Sequence, residues 1–538
     1  MARLPIGLTL AEIRGALGLL RRLPLYVRRR LTYEEAVATV QRRLGQRAEN
    51  FCLRVREQIW PEPHHPYRLL LENAGYRGPS EIASLIQQAG LESGLRELLR
   101  RGVYLTVDES RGRCEVRRGR LTFRVQSQQL QNPHTRREMM LQSSGSSGQA
   151  VSVSLDLDSR REHLANMLLT NVAGPMSPPP ARSMWTIPTA ASMGFNLDWQ
   201  VCFGEPMSGR FSLIDPHQQQ VPLRVRLGNL WLELLDKVLR LRTPRLQYAP
   251  AEDPAPVLAW IARVKRDGRV PSISTYPSAA LKLAEAAASA GVDVSGTWIV
   301  SRGEPLTQVR RERLEAAGMR VQTIYGTTET LAVAYSCDRA RLADEAHLLE
   351  DMHAIIQAGD DVPSLPAETV LFTTLNPKSA MVLINFSSGD TAVLEHGGCG
   401  CRFEELGWRT RLHTIRSFEK LTGAGMTFAS TDAVRVLEEV LPQRFGGSPV
   451  DYQLVERESA DGRPELEIVV DPGIGPVDAA QVVQVFLQEL GSSSVTQQLM
   501  SLVWQDASIV RVVRRPPARN AAGKISYFRS YAADGERR

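Results

Sequence analysis

The chain of 538 residues is long enough for two to four domains with a large core, and a composition of 43% hydrophobic and 23% charged residues excludes an intrinsically disordered protein. Six cysteines in so long a chain exclude a disulfide scaffold, and the longest apolar runs stay below the roughly 18 residues that a membrane span needs. The net charge of +6 resides in residues 1–30, which carry seven arginines and one glutamate, so we predict no nucleic-acid partner.

The basic N-terminal segment has an apolar stripe between its arginines, as in "IGLTLAEIRGALGLLRRLPLYVRRR". This pattern suits a helix on an anionic membrane surface. It also suits a helix that packs on its own protein or frays, which is the interpretation we favour. Glu12 and Arg14 interrupt the only stretch that resembles a signal peptide. We therefore expect a cytoplasmic protein.

Three regions follow each other along the chain. In residues 1–130 apolar residues recur every three or four positions, as in "YEEAVATVQRRLGQRAENFCLRVREQI", which predicts helices that stop at Gly90 and Gly102. In residues 131–420 short apolar runs ("GTWIVS", "VQTIYG", "ETVLFTTL", "MVLINFS") alternate with helical stretches, which predicts an α/β core with a mostly parallel sheet. Residues 421–538 read as helix, strand, strand, helix and strand, which predicts a small α+β domain.

Glycine with acidic or hydroxyl residues follows three of the predicted strands. These segments are "SRGEP" at 301–305, "YGTTE" at 325–329 and "SSGD" at 387–390. Ligands of open α/β sheets bind at the carboxyl ends of the strands. One such segment alone is ordinary turn chemistry, but three together predict a ligand site.

The segment "LQSSGSSGQ" at 141–149 has two interpretations. By composition it is a flexible linker, because runs of glycine and serine are usually spacers. A loop of this composition can also hold phosphate through its backbone N–H groups and hydroxyls.

Five motifs, in this order and at these separations, resemble the adenylate-forming (acyl-CoA synthetase, AMP-binding) superfamily, and most closely its phenylacetate-CoA ligase-like branch. They are "SSGSSG", "GEPLT", "YGTTET", "SSGD" and a near-terminal "GK". "HPYRLLLENAG", "NPHTRRE" and "EKLTG" are also similar to that branch, so that the resemblance covers roughly residues 60–530. It implies a large α/β domain with mostly parallel sheets, a helical N-terminal region and a small mobile α+β lid domain.

The resemblance implies that ATP and Mg²⁺ bind where the motifs meet. The serine- and glycine-rich loop would then close around the β- and γ-phosphates. Its implied residues are Ser143, Ser144, Gly145, Ser146, Ser147 and Gly148. The other residues implied for nucleotide binding are Gly303, Glu304 and Pro305 beside the adenine, Gly326 and Thr327, and Asp390 at the ribose hydroxyls. Tyr325 would lie along the adenine or the acyl group, and a plain strand-to-helix turn is the alternative for Glu304.

Three residues are implied in the reaction itself. Thr328 would contact the α-phosphate, and Glu329 would ligate Mg²⁺, which prefers oxygen ligands. The ammonium group of Lys524 would bridge the acyl carboxylate and the α-phosphate while charge moves between them.

The resemblance also implies a structural zinc site, because some members of the branch carry a cysteine, a histidine and a later Cys-x-Cys. Here these would be Cys337, His347, Cys399 and Cys401, with His353 as a substitute for His347. Three thiolates and one imidazole form a closed tetrahedral set. Reduced free cysteines are the alternative.

The chain departs from the family pattern at two places. After Gly148 it reads Gln149-Ala150-Val151, so the family's phosphate-binding lysine is absent. In "EKLTGAGMTFAS" Ala424 replaces the hinge arginine, and the aspartate that normally follows is missing. Because the hinge reorients the small domain between the two half-reactions, transfer to CoA is less secure than adenylation.

The sequence therefore predicts an ATP-dependent, AMP-forming ligase of biosynthesis that activates an acyl or aryl carboxylic acid and transfers it to CoA. One alternative passes the adenylate to a carrier-protein thiol, an amine or another nucleophile. A second is a catalytically inactive nucleotide-binding scaffold. Aromatic residues of the expected acid pocket are Trp185, Phe195, Trp199 and Phe203.

Overall fold

The computed structural model places most of the chain in a mixed α/β fold. It describes residues 10–136, 138–142, 152–172, 180–187, 190–215, 236–237, 242–417, 420–423, 426–429, 433, 435–459, 463–491, 501–505, 509–517 and 528–531. The described α-helices are α1 Leu10–Arg28, α2 Tyr33–Gly45, α3 Arg47–Arg54, α4 Pro66–Asn73, α5 Pro79–Ala89, α6 Leu91–Arg100, α7 Val107–Ser110, α8 Leu157–Val172, α9 Ala190–Phe203, α10 Ala255–Arg266, α11 Pro277–Ala290, α12 Gln308–Ala316, α13 Arg402–Glu405, α14 Leu441–Phe445 and α15 Ala479–Gly491. Short π-helices, Val55–Ile59 and Val436–Val440, extend α3 and precede α14.

Local sequence sets the ends of the N-terminal helices. Thr32 caps α2, because its hydroxyl accepts from the backbone N–H of Glu35 while the Glu35 carboxylate accepts from the backbone N–H of Thr32. Gly90 and Gly102, predicted as helix stops, adopt φ of +80° and +82°, a left-handed region that favours glycine. The helices bury leucines and isoleucines of one face against the sheet, as the three- and four-residue spacing predicts.

The strands form one large sheet and four smaller ones. The described strands are β1 Val116–Arg118, β2 Leu121–Phe123, β3 Met139–Gln142, β4 Ser152–Leu155, β5 Ala181–Thr186, β6 Gly209–Ser212, β7 Gln247–Tyr248, β8 Pro271–Thr275, β9 Trp298–Ser301, β10 Arg320–Thr327, β11 Leu331–Tyr335, β12 Ala346–Leu348, β13 His353–Gln357, β14 Thr369–Thr374, β15 Phe386–His396, β16 Thr410–Ser417, β17 Lys420–Gly423, β18 Met426–Ala429, β19 Tyr452–Glu458, β20 Pro464–Val470, β21 Val510–Arg514 and β22 Phe528–Tyr531. The large sheet has twelve strands in the order β13-β14-β15-β16-β12-β11-β10-β9-β8-β5-β6-β7.

The relative direction of neighbouring strands in the large sheet changes at the β10–β11 hairpin. From β10 to β7 neighbouring strands are parallel, and from β11 to β13 they are antiparallel. The α/β fold class is confirmed. The parallel direction predicted for the sheet holds for one half, because helices cross over only between β5 and β10, whereas hairpins join most later strands.

The run "MVLINFS" is buried as predicted, but its strand begins only at Phe386. Asn385 interrupts it with φ of +47° and donates its side-chain amide to the carbonyls of Leu95 and Val103. This asparagine thus fastens the start of β15 to the N-terminal helices.

The C-terminal region forms a four-stranded sheet in the order β21-β20-β19-β22. The predicted hairpin is present as the antiparallel pair β19–β20, and its turn, with Gly462, lies outside the described residues. Helix α15 buries Val482, Phe486 and Leu490 in the hydrophobic cluster that also contains residues of β19 and β20. The hairpin β17–β18 lies within the segment predicted as a hinge, of which Glu419, Ala424, Gly425 and Ser430 lie outside the described residues.

The basic N-terminal segment packs on its own protein where the structure describes it. Leu23 and Tyr26 of α1 are buried, and the Arg22 guanidinium donates to Glu138 and Asp158, both at 2.6 Å. None of the described helices is both long and apolar enough to cross a bilayer.

Candidate nucleotide and metal sites

The "YGTTE" motif forms a tight turn between β10 and β11. Thr327 and Thr330 fasten it, because each backbone N–H donates to the other residue's hydroxyl at 3.2 Å. Gly326 is required there, since a Cβ atom would overlap the carbonyl oxygen of Leu331. Leu331 itself has φ of +61°, a strained value for a leucine. The turn thereby holds Thr328 and Glu329 at its tip.

The "YGTTE" turn after β10 contacts the "SSGD" motif of β15, although three strands separate β10 from β15 in the sheet order. Tyr325 Oη donates to Asp390 Oδ2 at 2.8 Å, and Ser388 Oγ donates to the same oxygen at 2.8 Å. Burial and the neighbouring Asp390 raise the pKa of Tyr325 well above its usual value, so the phenol keeps its proton and donates. Both bonds use Oδ2, so Oδ1 is the oxygen that a ribose hydroxyl can reach without displacing these donors.

Strand spacing shows how this contact arises. From β10 to β15 there are four steps in the sheet, about 19 Å if the sheet were flat. A direct hydrogen bond therefore requires the antiparallel half to curl over itself. Phe372 of β14 lies inside the curl, with its ring centroid 6.0 Å from that of Tyr325.

Glu329, expected to ligate Mg²⁺, is held by an arginine that sequence reasoning missed. Arg111 Nη2 donates to Glu329 Oε1 at 2.9 Å, and the two side chains are only 9% and 7% exposed. Arg111 directly follows α7, which lies beside β15, since Ser387 donates its backbone N–H to the carbonyl of Leu105. Arg111 is one arginine among many in the sequence, and no local pattern indicates a partner 218 residues away along the chain.

Glu304 has a different environment from the one expected beside an adenine. Its carboxylate accepts from the backbone N–H and hydroxyl of Ser278 at the start of α11, and from Arg310 at 3.3 Å. The carboxylate thus stabilises the helix N-terminus.

Two predicted parts of the site lie outside the described residues. These are the loop Ser143–Gly148 and Lys524. Within the described ranges, the structure brings together Tyr325, Asp390 and the turn that carries Thr328 and Glu329.

Cys337, His347, Cys399 and Cys401 converge into one cluster. Their ligand atoms all lie within 4.8 Å of one another, with 3.6 Å between the sulfurs of Cys337 and Cys399 and 3.3 Å between Cys401 Sγ and His347 Nε2. Tetrahedral zinc would place two sulfurs about 3.8 Å apart, and a sulfur and a nitrogen about 3.6 Å apart. The four donors therefore fit a zinc ion.

The surroundings of this cluster also suit a metal. His347 Nδ1 lies 2.7 Å from the carbonyl oxygen of Trp408, a contact that orients Nε2 toward the sulfurs, as in zinc sites. A hydrogen bond from the Cys337 thiol and the adjacent His347 together lower the pKa of Cys401 to about 3, against the opposing effect of burial, whereas the pKa values of Cys337 and Cys399 are raised. Thiolates are the form that binds metal.

Sequence reasoning offered His353 as a substitute ligand, and this is wrong. His353 lies on β13, fully buried and outside the cluster. The cluster itself lies beyond the far end of β11 from Glu329, eight residues along the chain. A metal there would be separate from the nucleotide site.

An internal cavity lies between the parallel strands and the helices α8 and α9. Of the aromatic residues expected around an acid, Phe195 and Trp199 line it, whereas Trp185 packs in the core on the opposite face of β5. The other lining residues are Met167, Asn171, Arg182, Ser183, Met184, Met207, Ser274, Gln322, Ile324 and Tyr335. Ile324 directly precedes the "YGTTE" motif in the chain, whereas Tyr325 packs in a different cluster.

Comparison with known proteins found no matching family model and no matching curated protein. Solved structures match in fold. An amide bond synthetase, McbA from Marinactinospora thermotolerans, is 15% identical over 89% of this chain and 98% of that one, with a TM-score of 0.41. An anthranilate CoA ligase, AuaEII, in complex with anthranoyl-AMP is 13% identical over 73% and 66%, with a TM-score of 0.36. An AMP-forming acyl-CoA synthetase-like protein from Dyadobacter fermentans is 13% identical over 72% and 87%, with a TM-score of 0.30.

These scores and identities describe a similarity of fold, and they transfer no residue role or substrate to this chain. Of these proteins, AuaEII has anthranoyl-AMP bound and the Dyadobacter fermentans protein is described as AMP-forming.

Proposed function

We propose that the protein is an ATP-dependent, AMP-forming ligase that activates a carboxylic acid as an acyl-adenylate and transfers the acyl group to CoA. The observation that carries this proposal is the contact between Tyr325 and Asp390, which unites two motifs 65 residues apart at one end of the sheet. Glu329 and Thr328 lie on the same turn as Tyr325, so that residues suited to a sugar, a phosphate and a cation share one site.

The chemistry follows from the groups present. The acid's carboxylate oxygen attacks the α-phosphorus of ATP, a bond to phosphorus forms, and pyrophosphate leaves with the electrons of the broken bond. Such a transfer needs positioning and charge stabilisation more than covalent help from the protein. Asp390 Oδ1 would accept from the ribose, Thr328 would donate to the α-phosphate, and Lys524 would neutralise charge between acid and phosphate.

Arg111 adds a role to this scheme. Because its guanidinium pairs with Glu329, the carboxylate intended for Mg²⁺ is already neutralised before the nucleotide binds. Glu329 would hold the magnesium ion, which would neutralise phosphate charge, and the Arg111 guanidinium would then be available as a bidentate donor to the phosphates. It would thus supply the charge of the family's loop lysine, which this chain lacks.

The acyl acceptor is the less supported half of the proposal. The hinge departure at Ala424 favours an alternative in which a carrier-protein thiol, an amine or another nucleophile takes the adenylate. An inactive scaffold is the second alternative. We also propose that Cys337, His347, Cys399 and Cys401 hold a structural zinc, whose chemistry would be a closed four-ligand cross-link.

ATP–pyrophosphate exchange tests the adenylation, with hydroxylamine trapping of the activated acid across a carboxylate library. Asp390→Asn should raise the KM for ATP ~10-fold or more, because a neutral amide oxygen accepts a ribose hydrogen bond more weakly than a carboxylate. Asp267→Asn, at the exposed end of α10, is the matched control. Unchanged KM in Asp390→Asn, or no exchange with any acid, would contradict the proposal. Screening CoA, amines and carrier-protein thiols against the trapped acid then identifies the acceptor.

A further inference from the structure

Helix α1 is fixed on the protein by one of its sides. Leu23 and Tyr26 are buried there, and the Tyr26 hydroxyl donates to the carboxylate of Asp198 on α9 at 3.2 Å. Arg22 lies on the same side of the helix and pairs with Glu138. These contacts all use one side of α1, so the opposite side is left to face solvent.

The opposite side of α1 carries a stripe in which leucines and arginines alternate. Its members are Leu17, Arg21, Leu25 and Arg28. Steps of four, four and three residues keep them within about 80° of one another around the helix axis. Leu17 is 61% and Leu25 73% exposed, whereas the other exposed large hydrophobic side chains of the described residues reach at most 43%. The two most exposed of these side chains therefore share one face.

The end of α1 adds positive charge to this face. Among the residues that the structure describes, Arg21, Arg28, Arg29 and Arg30 are exposed and form no ion pair. Arg161 of α8 is a further cation nearby, since its guanidinium donates to the carbonyl of Arg29 at 3.0 Å. The charge is thus concentrated in the segment that carries the whole net charge of the chain.

An exposed face of this composition suits an anionic lipid surface better than a protein partner. The core of a protein interface is depleted of charged groups, whereas here Arg21 stands between the two leucines. At a bilayer surface, leucines enter the boundary of the acyl chains while arginines extend to the headgroups. The concentrated positive charge complements anionic headgroups, so both residue types of the stripe find a partner there.

We propose that the face of α1 formed by Leu17, Arg21, Leu25 and Arg28 binds an anionic lipid membrane. The helix lies along the lipid surface and keeps its docked side on the protein, so that no rearrangement of the core is needed. This inference is independent of the proposed function, because the face contains no residue of the candidate nucleotide site.

Co-sedimentation of the full chain with lipid vesicles tests the proposal. Vesicles of phosphatidylcholine and phosphatidylserine in a ~2:1 ratio should bind the protein at least ~10-fold more tightly than vesicles of phosphatidylcholine alone. Added salt should weaken this binding, because it screens the attraction between the arginines and the headgroups. Leu17→Gln/Leu25→Gln and Arg21→Gln/Arg28→Gln should each weaken it ~10-fold or more, since glutamine keeps the helix propensity but removes the apolar or charged contact.

Two control variants make the same chemical changes outside α1. Leu342→Gln replaces another exposed leucine, and Arg266→Gln/Arg313→Gln removes two positive charges from the exposed surfaces of α10 and α12. Both controls should bind anionic vesicles within about 2-fold of the unmodified protein. Thermal melting checks that every variant folds, and Leu25→Gln alone replaces the double leucine variant if that one does not.

Equal binding to the two kinds of vesicle, or binding to neither, would overturn the proposal. Anionic-vesicle binding that the leucine variant leaves unchanged would also overturn it. That last result would make the arginines a surface for an acidic protein instead.

Discussion

The carboxylates of the candidate nucleotide site are already engaged by the protein before any ligand arrives. Asp390 accepts two hydrogen bonds at Oδ2, from Tyr325 and Ser388, and Glu329 accepts one from Arg111. These contacts fix the direction of each carboxylate, and fixed groups lose less freedom when a ligand binds. The same contacts also contribute to the free energy of unfolding.

Arg111→Met tests this contribution. The variant leaves Glu329 in a nearly buried position without its guanidinium partner, so we expect the free energy of unfolding to fall by about 2–3 kcal/mol. Denaturant titration measures the change. Arg117→Met is the matched control, because its pair with Glu115 is exposed and contributes little. If both variants lost the same free energy of unfolding, the buried pair would stabilise the fold no more than the exposed pair does.

Lys524→Ala tests the last motif at the same scale. By its resemblance to the family lysine, Lys524 would stabilise charge during adenylation without holding the nucleotide. We expect adenylate formation to fall ~10²-fold or more while ATP binding stays largely intact. Pyrophosphate exchange and calorimetric titration with ATP measure the two quantities separately. An unchanged exchange rate would remove Lys524 from the mechanism.

At the scale of elements, the Cys₃His cluster joins parts of the antiparallel half that are distant in sequence. Cys337 follows β11, His347 belongs to β12, and Cys399 and Cys401 precede α13. The loop "GGCGC" can turn both cysteines inward because Gly397, Gly398 and Gly400 adopt φ between +65° and +81°. The cluster thus closes one end of the curled sheet whose other end carries Glu329.

Metal removal tests that role. Protein purified without chelator should contain about one zinc per chain, and chelation should lower its Tm, because a bound metal stabilises only the folded state. Cys401→Ser should reproduce the loss, whereas Cys114→Ser should not, since Cys114 is exposed and outside the cluster. Metal content near zero in freshly purified protein would contradict the zinc assignment.

At the scale of the whole molecule, buried histidines make folding sensitive to acid. Burial lowers the pKa of His65 and of His353 to about 3, from a usual 6.5. The unfolded chain therefore binds more protons than the folded one below about pH 6.5, so stability is full above that pH and falls as the pH drops below it.

Acidification from pH 7.5 to 5.5 should lower the free energy of unfolding by about 2–3 kcal/mol through these two histidines. His65→Asn should shrink this loss by about half while keeping a side chain that can cap α4, since His65 Nδ1 accepts from the backbone N–H of Tyr67 there. His64→Asn is the control, because His64 is exposed. Denaturant titrations at the two pH values measure the free energy of unfolding. If His65→Asn and His64→Asn lost the same free energy on acidification, the prediction would be contradicted.

The sequence by itself determined the helices, most strands and the order of the glycine motifs. Helical and strand periodicity are properties of neighbouring residues, which is why α5, α11 and the β19–β20 hairpin lie where the patterns predict them. The membership of the cluster was implied by the family resemblance, since some members of that branch carry a cysteine, a histidine and a later Cys-x-Cys. His353 shows the limit, because it lies on β13, at the edge of the sheet and away from β12, which carries His347.

Tertiary structure alone decided which distant side chains meet. The contact of Tyr325 with Asp390 depends on the curl of the antiparallel half, and the pairing of Arg111 with Glu329 depends on where the N-terminal helices dock. The cations beside Phe195 and Trp199 likewise depend on how α9 crosses the strands. Long-range contacts of this kind arise from packing summed over many residues, so no local pattern in the sequence encodes them.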